Sequence, residues 1–445
     1  MSPEVVSILV LIVMFVIATA FRVNMGVLAF VAAFVIGLAY TDLAGDEITE
    51  LFPGDLFVLL VGITFLFAIA QGNGTIDWIV AAAVRGVGGQ LVAIPWIMFV
   101  VAGVMTAVGA VSPGAVAILA PVALSVGARY GISQMLMGLM VVHGAQAGGF
   151  SPISVYGVIV NGVVARSDLP TSPVALFLAS LAANLVVAIV VFFVFGGLAL
   201  IRRGRADLST TDDSAQGWGE RERSEPVGGD TRPQDEPGDD DAPADVLTRE
   251  RAFTLLGLVV LAVAAVGFDL DVGLMAFTVA LALALVSPDA HRKAMSGVAW
   301  SVVVLVGGVL TYVEVLQEIG TIDYVGEAVA SLAAPLLVAL LLCYIGGVVS
   351  AFASSVAILG STIPLAIPFL QGGEIGAVAM IAALAVSSTI VDCSPLSTNG
   401  ALVLANSVGV DRDVMFRRLL AYGAVVVAVA PLLIWLAFVV PTAAS

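Results

Sequence analysis

Long apolar runs recur along almost the whole chain. Val5–Ala20, Leu56–Ala70, Val174–Ala199, Phe253–Phe268 and Ala421–Val440 are examples, each approaching the length that crosses a hydrocarbon core of about 30 Å as a helix. The polar interruptions are as informative as the runs. "GGFSPIS" (Gly148–Ser154) and "DCSPLSTNG" (Asp392–Gly400) put a proline and several hydroxyls inside apolar stretches. Proline removes a backbone donor and clashes with the preceding turn, so each stretch predicts a helix broken at membrane depth.

The breaks belong to an internal repeat. "QGNGTIDWI" (Gln71–Ile79) returns as "QEIGTIDYV" (Gln317–Val325) at an offset of 246, "AVAIL" (Ala115–Leu119) as "SVAIL" (Ser355–Leu359) at 240, and "SPIS" (Ser151–Ser154) as "SPLS" (Ser394–Ser397) at 243. Three matches in one order at nearly constant spacing predict two copies of one unit, residues 1–201 and 250–445. Each copy reads as three spanning helices, an amphipathic segment after the Gly-Thr-Ile-Asp box, two apolar arms meeting at a polar tip, the broken helix and a last span. The arms are Leu91–Val111 with Ala115–Val126, and Pro335–Val349 with Val356–Phe369. Arms that span fully give seven crossings per copy, and a re-entrant hairpin gives five. Both numbers are odd, so the second copy is expected to enter the membrane in the opposite sense.

Charge agrees with that orientation. With the N-terminus outside, every one of the seventeen basic residues except Arg166 faces the cytoplasm, as the positive-inside asymmetry requires. The outer loops "TDLAGDEITELFPGD" and "FDLD" are acidic. Both termini then lie outside a cytoplasmic (inner) membrane crossed many times, and residues 202–249 between the copies are cytoplasmic. That stretch contains "DEPGDDDAPAD" with much Gly, Pro and Ser; it has too little apolar surface to offset ordering entropy and is expected to be a disordered linker. A composition of 60% apolar and 11% charged residues, with a mean hydropathy of +1.11, excludes an ordinary soluble domain. The lipid bilayer is the expected partner, and nucleic acid is not. The first run lacks a basic flank and carries Glu4, which argues against a cleaved signal peptide. Cys343 and Cys393 stand far apart in apolar surroundings, with neither a disulfide framework nor a metal spacing.

Inverted repeats with interrupted helices are a common construction of secondary transporters, and irregular backbone at membrane depth is tolerated only where it is buried or lines a cavity. The two breaks therefore predict one central site. Each exposes carbonyls suited to Na+ on one half-helix and N–H groups suited to an anion on the other. Candidate ligand groups are Ser151, Pro152 and Ser154 at the first break, after Gly149, and Ser394, Pro395, Ser397, Thr398 and Asn399 at the second. The tips add Ser112, Pro113 and Gly114 from "GAVSPGA", and Ser350, Ser354 and Ser355 from "SAFASSV". Close helix packing also uses such small residues; their recurrence in register beside a proline favours the site.

Asp392 directly precedes the second break. A carboxylate there is costly unless it meets a cation or takes a proton, so it leads the ion-coupling candidates, followed by Ser112, Ser354 and Gly149. Helix capping is the alternative role. His143, two turns before the first break, reads as a packing histidine rather than a proton relay. Glu314 lies near an outer exit. No Lys or Arg falls within the apolar spans, and a half-helix dipole supplies only about half a charge. An anionic substrate is therefore expected to travel with cations. An intramembrane hydrolase using Ser151 with His143 is the rival from another class, and it lacks a second acid nearby in sequence to orient the histidine.

The combination of "GGFSPISVYGVIVNGVV" and "DCSPLSTNGALVLAN" resembles the MatC family of malonate/dicarboxylate carriers, over nearly the whole chain except the acidic linker. More distantly, the order of hairpin tip then Pro-broken helix is similar to the divalent anion/sodium symporters of the ion transporter superfamily. The resemblance implies an all-α polytopic membrane protein of two inverted-topology repeats, each with a re-entrant hairpin. It also implies a homodimer, an elevator-like movement, a small dicarboxylate substrate and Na+ or H+ as coupling ion, with no other cofactor. The distant family carries Ser-Asn-Thr at each tip. Here Ser112, Pro113 and Gly114 stand in the first and Ser354, Ser355 and Val356 in the second, so only the leading serines match.

Overall fold

The computed structural model describes residues 2–21, 23–41, 43–76, 78–79, 82, 90–167, 169–204, 246–268, 270–286, 288–321, 324, 335–351, 355–371 and 375–442. Ser354, Arg22, Arg85, most of the acidic linker and the segments after the Gly-Thr-Ile-Asp boxes lie outside the described residues.

The regular elements are helical. In the first half the apolar runs form α1 (Pro3–Phe21), α2 (Met25–Tyr40) and α4 (Gly54–Gly72), with a short α3 (Gly45–Glu50) between the last two. The first pair of arms is α5 (Ala93–Ala107) and α6 (Ser112–Tyr130), and the first broken helix is α7 (Gln134–Gly148) and α8 (Val155–Ala165). Then α9 (Pro173–Val194) leads into α10 (Gly197–Arg203). The second half repeats the order: α11 (Arg249–Gly267), α12 (Val272–Val286), α13 (Pro288–Gly297) and α14 (Trp300–Glu318). The arms α15 (Pro335–Ser350) and α16 (Ser355–Gln371) follow, then the broken helix α17 (Ala377–Ile390) and α18 (Thr398–Ala405), and finally α19 (Arg412–Ile434). The apolar pattern does not reveal α3 and α13, because "GDEITE" and "PDAHRKAMSG" are short and polar.

Local chemistry sets the borders. Asn24 accepts from the Gly26 N–H, Ser133 from Leu136, Ser172 from Ala175, and Asp411 from Asp413 and Val414, each covering a donor that the first helical turn leaves open. Five helical stretches are long and apolar enough to cross a membrane by length and composition, among the described residues: Gly54–Gly72, Ser112–Tyr130, Pro173–Val194, Trp300–Glu318 and Arg412–Thr442.

The halves interlock reciprocally. α2 packs on α14 and its counterpart α12 on α4; α6 lies against α18 and its counterpart α16 against α8. At the first two crossings the backbones nearly touch, since a Cβ on Gly26, Gly308 or Gly273 would overlap the facing main chain. Polar bonds repeat the relation. Ser7 Oγ meets Thr321 Oγ1 at 2.8 Å, and Asn73 Nδ2 donates to Thr254 Oγ1 at 2.7 Å.

Further bonds tie the helix ends. Leu91 N–H donates to the Gly204 carbonyl at 3.4 Å while Arg203 donates to Tyr130 and Gly131, so the start of α5 and the end of α6 meet at the end of α10. Gln371, closing α16, donates to the Ser167 carbonyl at 3.5 Å. Its neighbour Arg166 pairs with Asp55, at the start of α4, and with Glu314, near the end of α14. The core centres on α7, buried throughout, and α17, buried along most of its length. By contrast α1, α9 and α11 expose Val, Leu and Phe side chains over much of their surface, a belt suited to lipid rather than water.

Candidate functional site

At the first break the chain closes on itself through neutral groups. Ser154 caps α8 by accepting from the Gly157 N–H at 3.2 Å, and its hydroxyl faces the carbonyls of Gly149 at 2.5 Å and Ser151 at 2.8 Å. Ser151 donates to the Ala107 carbonyl at 2.5 Å, which ties the break to the end of α5. The turn is tight: a Cβ on Gly157 would overlap the Ser151 carbonyl.

The second break has the same backbone and a different chemistry. A Cβ on Gly400 would overlap the Ser394 carbonyl, as at the first break. Ser397 Oγ donates to Ser394 O at 2.7 Å but caps nothing. The cap is Asp392, at the position corresponding to Gly149. Its Oδ1 accepts from the Asn399 N–H at 3.3 Å, and its Oδ2 accepts from Asn399 Nδ2 at 3.0 Å and from Ser355 Oγ at 3.1 Å.

From there the network reaches the other half. Asn399 Nδ2 also donates to Ser112 Oγ at 2.9 Å, and Ser350 Oγ lies 3.2 Å from Ser355 Oγ. The Tyr156 phenol sits beside the Ser112 and Ser355 hydroxyls and the Asp392 carboxylate. Ser112 and Ser355 are the first residues of α6 and α16, and Tyr156 and Asn399 the second residues of α8 and α18. Both tips and both broken helices thus meet at one point. It is closed: Asp392 is 2% exposed and Asn399 0%.

Among the described residues no cation faces the carboxylate, whose hydrogen bonds come from neutral donors, while Asn399 Oδ1 is buried without a hydrogen-bond partner. A buried charge without an opposite charge, and a buried acceptor without a donor, are both costly. Together they suit a small cation or a proton, with the Ser112 and Ser355 hydroxyls at hand for an anion. Among the described residues no group of three or more His, Cys, Asp or Glu side chains could hold a metal ion.

Of the residues singled out in the sequence, Ser112, Ser355, Asp392 and Asn399 are brought together, with Ser350 adjoining. Ser151, Ser154, Ser394 and Ser397 are buried and bonded within or beside their own breaks. Gly149 supplies a carbonyl to the Ser154 hydroxyl. Gly114 and Thr398 are exposed, Pro152 is half-buried and Pro395 buried. Ser354 lies outside the described residues, and the helix starts pair Ser112 with Ser355. Tyr156 escapes the sequence reading because it sits in an apolar run; its one signal is that the Ser-Pro offset carries it onto Asn399.

His143 is a structural bridge. Asn184 Nδ2 donates to the Ser180 carbonyl, which leaves Asn184 Oδ1 to accept from His143 Nδ1–H at 3.0 Å, so Nε2 accepts from Tyr422 O–H at 2.7 Å. The neutral ring thereby joins α7 and α9 to α19. Neither ring nitrogen bonds Ser151, so the nucleophile and base of a hydrolase are not paired.

Residues 1–149 match the family model described as dicarboxylate carrier protein MatC N-terminus, which bears out the MatC resemblance over that part of the chain. No curated protein matches the chain significantly in sequence. The Alcanivorax borkumensis YdaH transporter is similar in structure, with a TM-score of 0.59 at 15% identity over 98% of this chain and 98% of that one. Neisseria gonorrhoeae MtrF, whose structure illuminates a class of antimetabolite efflux pumps, gives a TM-score of 0.59 at 11% identity over 99% and 95%. At these identities the likeness shows the fold alone, one shared with these two transporters.

Proposed function

We propose that this protein is a secondary active carrier of a small dicarboxylate, of malonate or C4 type, across the cytoplasmic membrane, driven by symport of a cation. The observation that carries the reading is the meeting of both hairpin tips and both breaks around the buried Asp392 carboxylate. The MatC match over residues 1–149 supports a dicarboxylate substrate. Asp392 is the cation-bearing group, because a dianion cannot approach an ionised carboxylate in a closed site unless charge is compensated. The hydroxyls of Ser112 and Ser355 and the Tyr156 phenol receive the substrate carboxylates.

Inverted, re-entrant architecture is part of the proposal. Arg166 brings the start of α4 beside the end of its counterpart α14, which supports opposite orientations for the two halves. The outer ends of α5 and α6 meet at Arg203, while α5 extends only about 22 Å at the helical rise; both support a hairpin that returns to the side it entered. The apolar belt on α1, α9 and α11 fits lipid and the interface of a homodimer. Movement of hairpins and broken helices against α4 and α14 is then elevator-like.

Uptake into proteoliposomes tests the reading. Radiolabelled malonate or succinate accumulates under an inward Na+ or H+ gradient and not without one. Cation exchange with no organic anion moved would contradict it and favour an antiporter, for which a lone buried carboxylate is equally suited.

A further inference from the structure

Asn399 spends both amide protons in one place. One Nδ2–H goes to Asp392 Oδ2 at 3.0 Å and the other to Ser112 Oγ at 2.9 Å, while Oδ1 faces buried surroundings with no partner. An ionised carboxylate accepts only, so it holds the amide in this orientation. Once a cation or proton neutralises Asp392, the same site presents positive charge or a donor. A half-turn of the amide then directs Oδ1 to that charge or donor, a gain set against moving the Nδ2 protons to the side Oδ1 now occupies.

The turn has a second end. Ser112 opens α6 at the tip of the first hairpin and belongs to the other half of the chain from Asp392 and Asn399. With Nδ2 turned away, Ser112 Oγ loses a donor and must itself donate to Oδ1, which changes what it offers to the adjacent Tyr156. We infer that Asn399 is a relay: its side-chain amide reports the charge on Asp392 to the Ser112 tip of the first hairpin. Resting on the carrier reading above, this assigns coupling to a positioning residue rather than to Asp392 alone. Ser355, which donates directly to Asp392 Oδ2, gives the second hairpin an unrelayed contact.

Gly114 provides a reporter. It is exposed within the first turn of α6 and an added side chain would meet nothing within 4 Å, whereas the native Cys343 and Cys393 are buried. The experiment measures maleimide labelling of Gly114→Cys in the full-length reconstituted protein. Asp392→Asn stands in for the neutralised carboxylate, and the comparison is made with Asn399 intact and with Asn399→Ala. With Asn399 intact, Asp392→Asn changes the labelling rate at least about five-fold, the lower range for coupled sites. With Asn399→Ala that response is lost. Ser112→Ala, which cuts the relay at its other end, loses the response too and serves if Asn399→Ala does not fold. A response that persists in full in both variants, or no response to Asp392→Asn with Asn399 intact, overturns the relay. No substrate takes part in this measurement, so it stands or falls apart from the uptake assay.

Discussion

The two breaks solve one backbone problem with different chemistry. Each interrupts a buried helix before a Ser-Pro pair, and each needs a glycine where the returning chain passes a serine carbonyl, at Gly157 and Gly400. At the first, the Ser154 hydroxyl supplies the cap and nothing charged is involved. At the second, Ser397 supplies no cap and the Asp392 carboxylate does. The first break shows that a broken helix of this shape holds without an acid. The proposed function gives the buried carboxylate at the second a requirement beyond folding, one its bonds to Ser355 and, through Asn399, to Ser112 support.

The largest expected effect separates those two requirements. Asp392→Asn keeps the size of the side chain and removes the charge; uptake driven by a cation gradient falls on the order of 100-fold, the upper range of coupling between linked sites. Melting temperature stays level or rises, because a neutral isostere spares the burial of an ion. Loss of fold and uptake together would reduce Asp392 to a cap. Next come Gly157→Ala and Gly400→Ala, each of which forces a Cβ against a carbonyl and costs about 1–3 kcal/mol. Chemical denaturation in detergent reads this, and tolerance at one site alone would break the equivalence of the two turns.

Smaller effects sharpen the contrast. Ser154→Ala removes a working cap and costs about 1 kcal/mol, while Ser397→Ala costs less in the same melting assay. Equal losses would contradict the division of labour. Smallest for transport is His143→Gln. It disturbs the bridge between Asn184 and Tyr422 at a cost of about 1 kcal/mol and leaves the cation dependence of uptake unchanged.

Much of the fold was legible because membrane helices write themselves as apolar runs and proline writes their interruptions. The arms and the breaks fall close to where the letters put them. Register was harder. "AVAIL" and "SVAIL" match at 240, whereas α6 and α16 start 243 apart, at Ser112 and Ser355. A slip of three residues is nearly one helical turn and keeps the same face inward, so apolar letters match almost as well in the wrong register. Hydroxyl-rich breaks were hard to read in another way, since Ser151, Ser154, Ser394 and Ser397 bond to their own backbones or the adjoining α5, which letters alone do not show. Tyr156, Asn184 and Tyr422 lie in apolar or small-residue stretches, where a single polar side chain carries no signal until a partner from a distant helix arrives.

The meeting of the halves at Asp392 is tested most directly by joining them. With Ser112→Cys and Asn399→Cys in membranes, the two thiols are oxidised directly to a disulfide by a small membrane-permeant oxidant such as iodine, and the segment between residues 205 and 245 is then cut at an inserted protease site. The side chains of Ser112 and Asn399 are 2.9 Å apart, so the halves remain one band on a non-reducing gel and separate on reduction. Two bands before reduction, with both cysteines free, would contradict a shared centre.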